Sequence, residues 1–193
     1  MKSNRMEAFS DGVIAIIITI MVLEMKVPHG TDLQSLSEVW PVFVSYVLSF
    51  LYLAIYWNNH HHLMHTVEFV RGPILWANLH LLFWLSLVPF VTGWMGENDF
   101  AMVPVALYGL NLLMAAIAYY ILQLQILRTH GKDSPLAQAL GSDLKGKISP
   151  FLYIVGIAIA FYWPLIAGLL YLLVAIIWIM PDRRIERLYD PKS

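Results

Sequence analysis

The sequence predicts an all-α membrane protein with six transmembrane helices per subunit, forming a single domain over residues 1–193, and three observations carry that expectation. First, the 193 residues are 59% hydrophobic and hold 12 basic and 13 acidic side chains, whereas a soluble domain is roughly 45–50% apolar and about 25% charged. Second, the charges are bunched. No Lys, Arg, Asp or Glu falls between Arg71 and Glu97 or between Lys147 and Asp182, and both gaps exceed the ~20 apolar residues that cross a bilayer core of ~30 Å. Third, the basic residues fall on one side of the resulting spans. Such a chain lacks the charged surface of a soluble enzyme. Its net charge of -1 gives no basic face for nucleic acid, and the absence of cysteine leaves no thiolate metal site.

Apolar stretches bounded by charge or turn residues place the spans near 7–27, 38–64, 74–95, 101–127, 148–163 and 165–180. The first does not read as a cleavable signal peptide, because Asp11 sits inside it and Glu24-Met25-Lys26 follows it. The polar stretch Thr129 to Lys147 reads as a cytoplasmic loop. The last two spans come from one apolar block, divided at Trp163-Pro164 because proline lacks an amide hydrogen and disfavours helix in the residue before it. Five spans with one long kinked helix is the competing count, and charge decides between the two. With six spans and a cytoplasmic N-terminus, Lys2, Arg5, Arg71, Arg128, Lys132, Lys145, Lys147, Arg183, Arg184, Arg187 and Lys192 lie inside and only Lys26 outside. Five spans would put the arginine cluster outside, against the positive-inside rule. Both termini are therefore expected in the cytoplasm, with Trp40, Trp57, Trp76, Trp94 and Trp178 near the membrane interfaces.

The first span is the most informative. At ~100° per residue, Gly12, Ile16, Thr19, Ile20 and Leu23 form one stripe, continued toward the cytoplasm by Phe9 and Arg5, while Asp11 lies away from it with Ala15, Ile18 and Val22. An intramembrane acid costs roughly 2.5–3.5 kcal/mol on insertion scales and must find a partner. The second span ends in Trp57-Asn58-Asn59-His60-His61-His62 and His65, at a similar depth. Asp11 and Ser10 with these groups make a polar clamp, or alternatively a proton relay. The stripe is either core or, around a symmetry axis, stacked rings that gate by dewetting and offer hydroxyls to an ion.

The segment Arg5-x-x-x-Phe9-Ser10-Asp11-Gly12, followed by Ile16 and Thr19, resembles the first-helix signature of the TMEM175 family of cation channels. The likeness extends to a single six-helix unit of bacterial type, a second span ending in histidine and asparagine, and cytoplasmic termini. The resemblance implies a passive potassium-permeable channel in the cell membrane, without the Thr-Val-Gly-Tyr-Gly filter and without a cofactor. It implies a homotetramer whose pore is lined by four first helices, with a hydrophobic constriction at Ile16, a selectivity-influencing hydroxyl ring at Thr19 and further apolar rings at Ile20 and Leu23. Arg5, Ser10 and Asp11 would then tie the first helix to its neighbours through a second-span histidine, with His61, His62 and His65 as candidates. The rival reading is a proton-coupled transporter using Asp11 and these histidines, and the second rival is a non-conducting scaffold.

Other features weigh less. His61 and His65, four apart, have a two-ligand metal spacing, but no carboxylate lies between Trp57 and Thr66, so no metal site is expected. Glu24 and Asp32 are either cation-concentrating groups at the external mouth or solvated loop charges. Arg183, Arg184 and Arg187 suit lipid headgroups. No nucleophile–base pair, phosphate loop or dinucleotide motif marks an enzyme.

Overall fold

The computed structural model describes residues 3–131, 134, 137 and 144–179. The described elements are helices: α1 Ser3–Leu23, α2 Leu33–Glu38, α3 Trp40–His65, α4 Gly72–Ser86, α5 Val88–Glu97, α6 Met102–His130, α7 Leu144–Ala160 and α8 Pro164–Ile179. Lys132, Arg183, Arg184, Arg187 and Lys192 lie outside the described residues, as does most of the stretch from Thr129 to Lys147.

Local chemistry sets several boundaries. Asp32 caps α2, its carboxylate accepting from the Ser35 amide at 2.8 Å and the Ser35 hydroxyl at 2.6 Å, and the Ser35 hydroxyl holds this carboxyl below the usual range. That contact makes Asp32 a helix cap. Pro89 removes an amide from what would otherwise be one helix over Gly72–Glu97, and the chain steps through a tight turn at Leu87, whose amide bonds the Trp84 carbonyl at 3.3 Å. α6 ends where Gly131 adopts φ +86°, a conformation costly for any other residue.

Four helical stretches are long and apolar enough to cross a membrane: Ser3–Leu23, Trp40–His65, Gly72–Glu97 and Met102–His130. α8 is apolar, with 16 described residues. α7 has 17 residues and carries Pro150 inside it. Their described lengths match the short spans expected at 148–163 and 165–180. The chain reverses between them: α7 stops at Ala160, the Trp163 amide bonds the Ile159 carbonyl at 2.8 Å, and α8 starts at Pro164. Trp178 Nε1 donates to Ser149 Oγ at 2.8 Å, and Tyr171 packs on Tyr153 with ring centroids 6.3 Å apart. These contacts form an antiparallel hairpin, so the block is not one kinked helix.

Facing residues give the directions of the other helices. Glu7 meets His61 and Asp11 meets Trp57, so α1 and α3 are antiparallel. His60 meets Asn78 and Ser49 meets Thr92, so α4 and α5 also run against α3. Ser49 meets Tyr108 and Asn59 meets Tyr119, so α6 runs with α3. The result is an up-and-down bundle in which the start of α1 and the end of α3 share one end.

Two apolar clusters fill it. One joins Ile14, Ile17 and Met21 of α1 to Leu53 and Leu63 of α3, Leu81 and Leu85 of α4 and Leu122 of α6. The other gathers Tyr108 of α6, Tyr153 of α7 and Tyr171 of α8 around Tyr52. Lipid tails are as apolar as leucine, so helix association in a membrane depends on close fit and interhelical hydrogen bonds. Gly96 shows the fit between α5 and α3: a Cβ there would lie 2.7 Å from Val42 Cα and against the Ser45 hydroxyl. Backbone cannot yield as a side chain does. Gly96→Ala is expected to destabilise the fold by about 1–3 kcal/mol, read as a lowered Tm in detergent; an unchanged Tm would mean that α3 and α5 separate freely.

Candidate polar clamp and first-helix stripe

α1 presents three sectors rather than two. Met6, Ser10, Ile14, Ile17 and Met21 are buried against α3, α4 and α5. On one flank, Glu7 and Asp11 are half-buried beside α3, and Ile18 is half-buried as well. The third sector is about 140° from the buried one at ~100° per residue, and it is open: Phe9 is 55% exposed, Ile16 59%, Ile20 41% and Leu23 81%, with Gly12 and Thr19 also exposed. In a membrane, apolar side chains that point away from their own fold are covered either by lipid or by another protein surface. Thr19 donates its hydroxyl hydrogen to the Ile16 carbonyl at 2.8 Å, which leaves the oxygen lone pairs for an outside donor or cation. Along this sector a groove runs past Ile16, Ile20 and Glu24 to Val42, Tyr46, Phe90 and Trp94. At the far end, Lys26 pairs with Glu97 at 2.8 Å.

The polar groups at the start of α1 divide into two networks. In the buried one, Ser10 is fully enclosed, its hydroxyl donates to the Met6 carbonyl at 2.9 Å, and its oxygen accepts from Asn78 Nδ2 at 2.9 Å. Asn78 Oδ1 in turn meets His60 Nε2 at 2.8 Å. Three helices are linked by three side chains, all within apolar surroundings where an unpaired polar group is expensive. In the flanking network, Trp57 Nε1 donates to Asp11 Oδ1 at 3.0 Å, and Glu7 Oε1 meets His61 Nδ1 at 2.7 Å. The Trp57 and His61 rings stack, with centroids 6.2 Å apart.

These contacts correct the expected pairing. The partner of Asp11 is an indole, and none of His61, His62 or His65 bonds it. His61 goes to Glu7, His65 Nε2 meets His61 Nε2 at 3.1 Å, and His62 Nδ1 turns back to the Asn58 carbonyl of its own helix at 2.7 Å. Arg5 is exposed and forms no ion pair among the described residues. Glu7 and Asn78 had no place in the sequence reading, yet both were visible there. Glu7 lies one turn before Asp11, and Asn78 is a lone amide within a charge-free apolar stretch.

A family model described as the endosomal/lysosomal potassium channel TMEM175 matches residues 5–89, which contain both networks and the open stripe. A protein of Chryseobacterium sp. strain P1-3 named as a potassium channel is 57% identical over 187 residues, covering 97% of each chain. The chain belongs to the TMEM175 family. A second relative, from Streptomyces collinus and also named as a potassium channel, is 35% identical over 146 residues, covering 72% of this chain and 71% of its own. In structure the chain is similar to a lysosomal potassium-selective TMEM175 channel homologue from Chamaesiphon minutus, at a TM-score of 0.81 and 28% identity over 93% of this chain and 97% of that one. The structural likeness thus extends well beyond residues 5–89.

Proposed function

We propose that the chain is a passive potassium-permeable channel of the cell membrane, assembled as a homotetramer with four copies of α1 around the pore. The observation that carries this reading is the open apolar sector of α1: in one copy, Ile16, Ile20 and Leu23 point out of the fold. Four such stripes around an axis cover one another and make stacked rings. Ile16 forms the constriction, Thr19 supplies hydroxyl oxygens, and Ile20 and Leu23 continue the path outward; hydrophobic rings gate by dewetting, and oriented oxygens replace part of an ion's hydration shell. The Ser10–Asn78–His60 and Asp11–Trp57 contacts hold α1 against its own subunit, so the stripe is presented rigidly. All six passes cross the bilayer in this reading, and both termini face the cytoplasm with the basic residues.

A liposome potassium-flux assay on the purified protein, paired with its oligomeric state in detergent, tests the reading: a tetramer with flux is expected, and a monomer without flux would overturn it. Thr19→Ala is expected to reduce potassium-over-sodium discrimination several-fold, because methyl groups cannot replace the hydroxyl oxygens. Bi-ionic reversal potentials measure this, and identical values in variant and parent would remove Thr19 from the selectivity mechanism.

A further inference from the structure

His61 and His65 lie one turn apart on α3, with their Nε2 atoms facing each other at 3.1 Å and their rings edge-on, centroids 4.4 Å apart. The antiparallel α1 adds a carboxylate behind this pair: Glu7, His61 and His65 each place a ligand-type atom within 4.8 Å of the other two, with Glu7 on the Nδ1 side of the His61 ring. We propose that these three residues form a binding site for a first-row transition-metal ion of the Zn²⁺ class, bridging the start of α1 to the end of α3.

The geometry suits the chemistry. Zn²⁺ binds imidazole nitrogen at about 2.0–2.1 Å, so two nitrogens at a tetrahedral angle are separated by roughly 3.3 Å, close to the observed gap. Two imidazole nitrogens this near each other otherwise share a proton, and the metal takes that proton's place. Glu7 accepts the His61 Nδ1 hydrogen at 2.7 Å, which leaves the Nε2 lone pair aimed at His65. A carboxylate behind a ligating histidine fixes the ring and raises its basicity. His65 is exposed, so water reaches the ion and completes its coordination. Imidazole and carboxylate together favour Zn²⁺, Co²⁺ and Ni²⁺ over Mg²⁺ and Ca²⁺, which prefer all-oxygen shells. His62 takes no part, because its Nδ1 is held by the Asn58 carbonyl.

The test uses the full chain in lipid nanodiscs, purified through a histidine-free tag, titrated with Co²⁺ by visible absorption and then with Zn²⁺ as competitor. Saturable ligand-field bands displaced by Zn²⁺ but not by Mg²⁺ are expected. His65→Ala should lose at least about tenfold in affinity, and Glu7→Gln about tenfold, as a lost supporting carboxylate does. His62→Ala should bind as the parent does, and His65→Cys should retain Zn²⁺ through its thiolate. His65 is exposed, so its variants are expected to elute as the parent does on size exclusion. No saturable Co²⁺ binding by the parent, or equal binding by His65→Ala, would overturn the site. The readout is metal binding rather than current, so it stands or falls separately from the pore.

Discussion

Ile16→Asn is expected to increase potassium current through the reconstituted protein by about tenfold or more, with weaker discrimination among monovalent cations. The physical reason lies in where Ile16 sits. It is 59% exposed, on the open sector of α1, one turn before Thr19. In the proposed tetramer, a ring of isoleucines offers water no hydrogen bonds, so an ion crossing it would shed hydration with nothing in return, and the ring would dewet. Asparagine brings a carbonyl and an amide to the same place. Lowering the barrier by about 1.4 kcal/mol gives about tenfold in rate, a modest demand on a change from apolar to polar lining. Single-channel recording in planar bilayers measures the effect. The rival placements predict something else. If this sector faced lipid, the amide would be unsatisfied in hydrocarbon, and the variant would insert or fold less well with no gain in current. Unchanged unitary current with unchanged selectivity would take Ile16 off the conduction path.

What could be read from the sequence follows from which forces act within one segment. Apolar length and the absence of charge are local properties, so the four long helical stretches were legible, and so was the break at Trp163-Pro164, where one proline decides the backbone. The stripe was legible too, because a 3.6-residue period places Ile16, Thr19, Ile20 and Leu23 together whatever surrounds them. The division of α4 from α5 depends on Pro89 in the same way and was open to the same argument. Partners were not legible, because they depend on helix register. Asp11 could be matched to several groups at the end of the second span, and depth alone does not separate Trp57 from His61 one turn later. The antiparallel register pairs Asp11 with Trp57 and Glu7 with His61, a choice set by packing of the buried sector rather than by either polar group. The same limit applies to the histidine pair: a search along α3 for a further polar group beside His61 and His65 does not reach Glu7 on α1.

The buried network supports the second large effect. Asn78→Ala is expected to lower stability by about 1–3 kcal/mol, seen as a reduced Tm in detergent and, for the proposed tetramer, a smaller assembled fraction. Asn78 carries two bonds, to Ser10 and to His60, and their loss is unequal. Ser10 keeps its own donor bond to the Met6 carbonyl, so it loses only an acceptor contact. His60 is 1% exposed, and its Nδ1 already has no partner; without Asn78, neither ring nitrogen is satisfied. Most of the cost therefore falls on His60, which sets the expected order of variants. Ser10→Ala should be mild. Asn78→Leu combined with His60→Leu should be more stable than Asn78→Ala alone, because replacing both partners by apolar groups of similar size leaves little unsatisfied. Hydrogen bonds between membrane helices average only ~0.6 kcal/mol by double-mutant cycles, so a bond merely lost would cost less than a buried group left unpaired. If Asn78→Ala and the double variant prove equally stable, the network is worth no more than its bonds, and α1 is held by the packing of Ile14, Ile17 and Met21 instead.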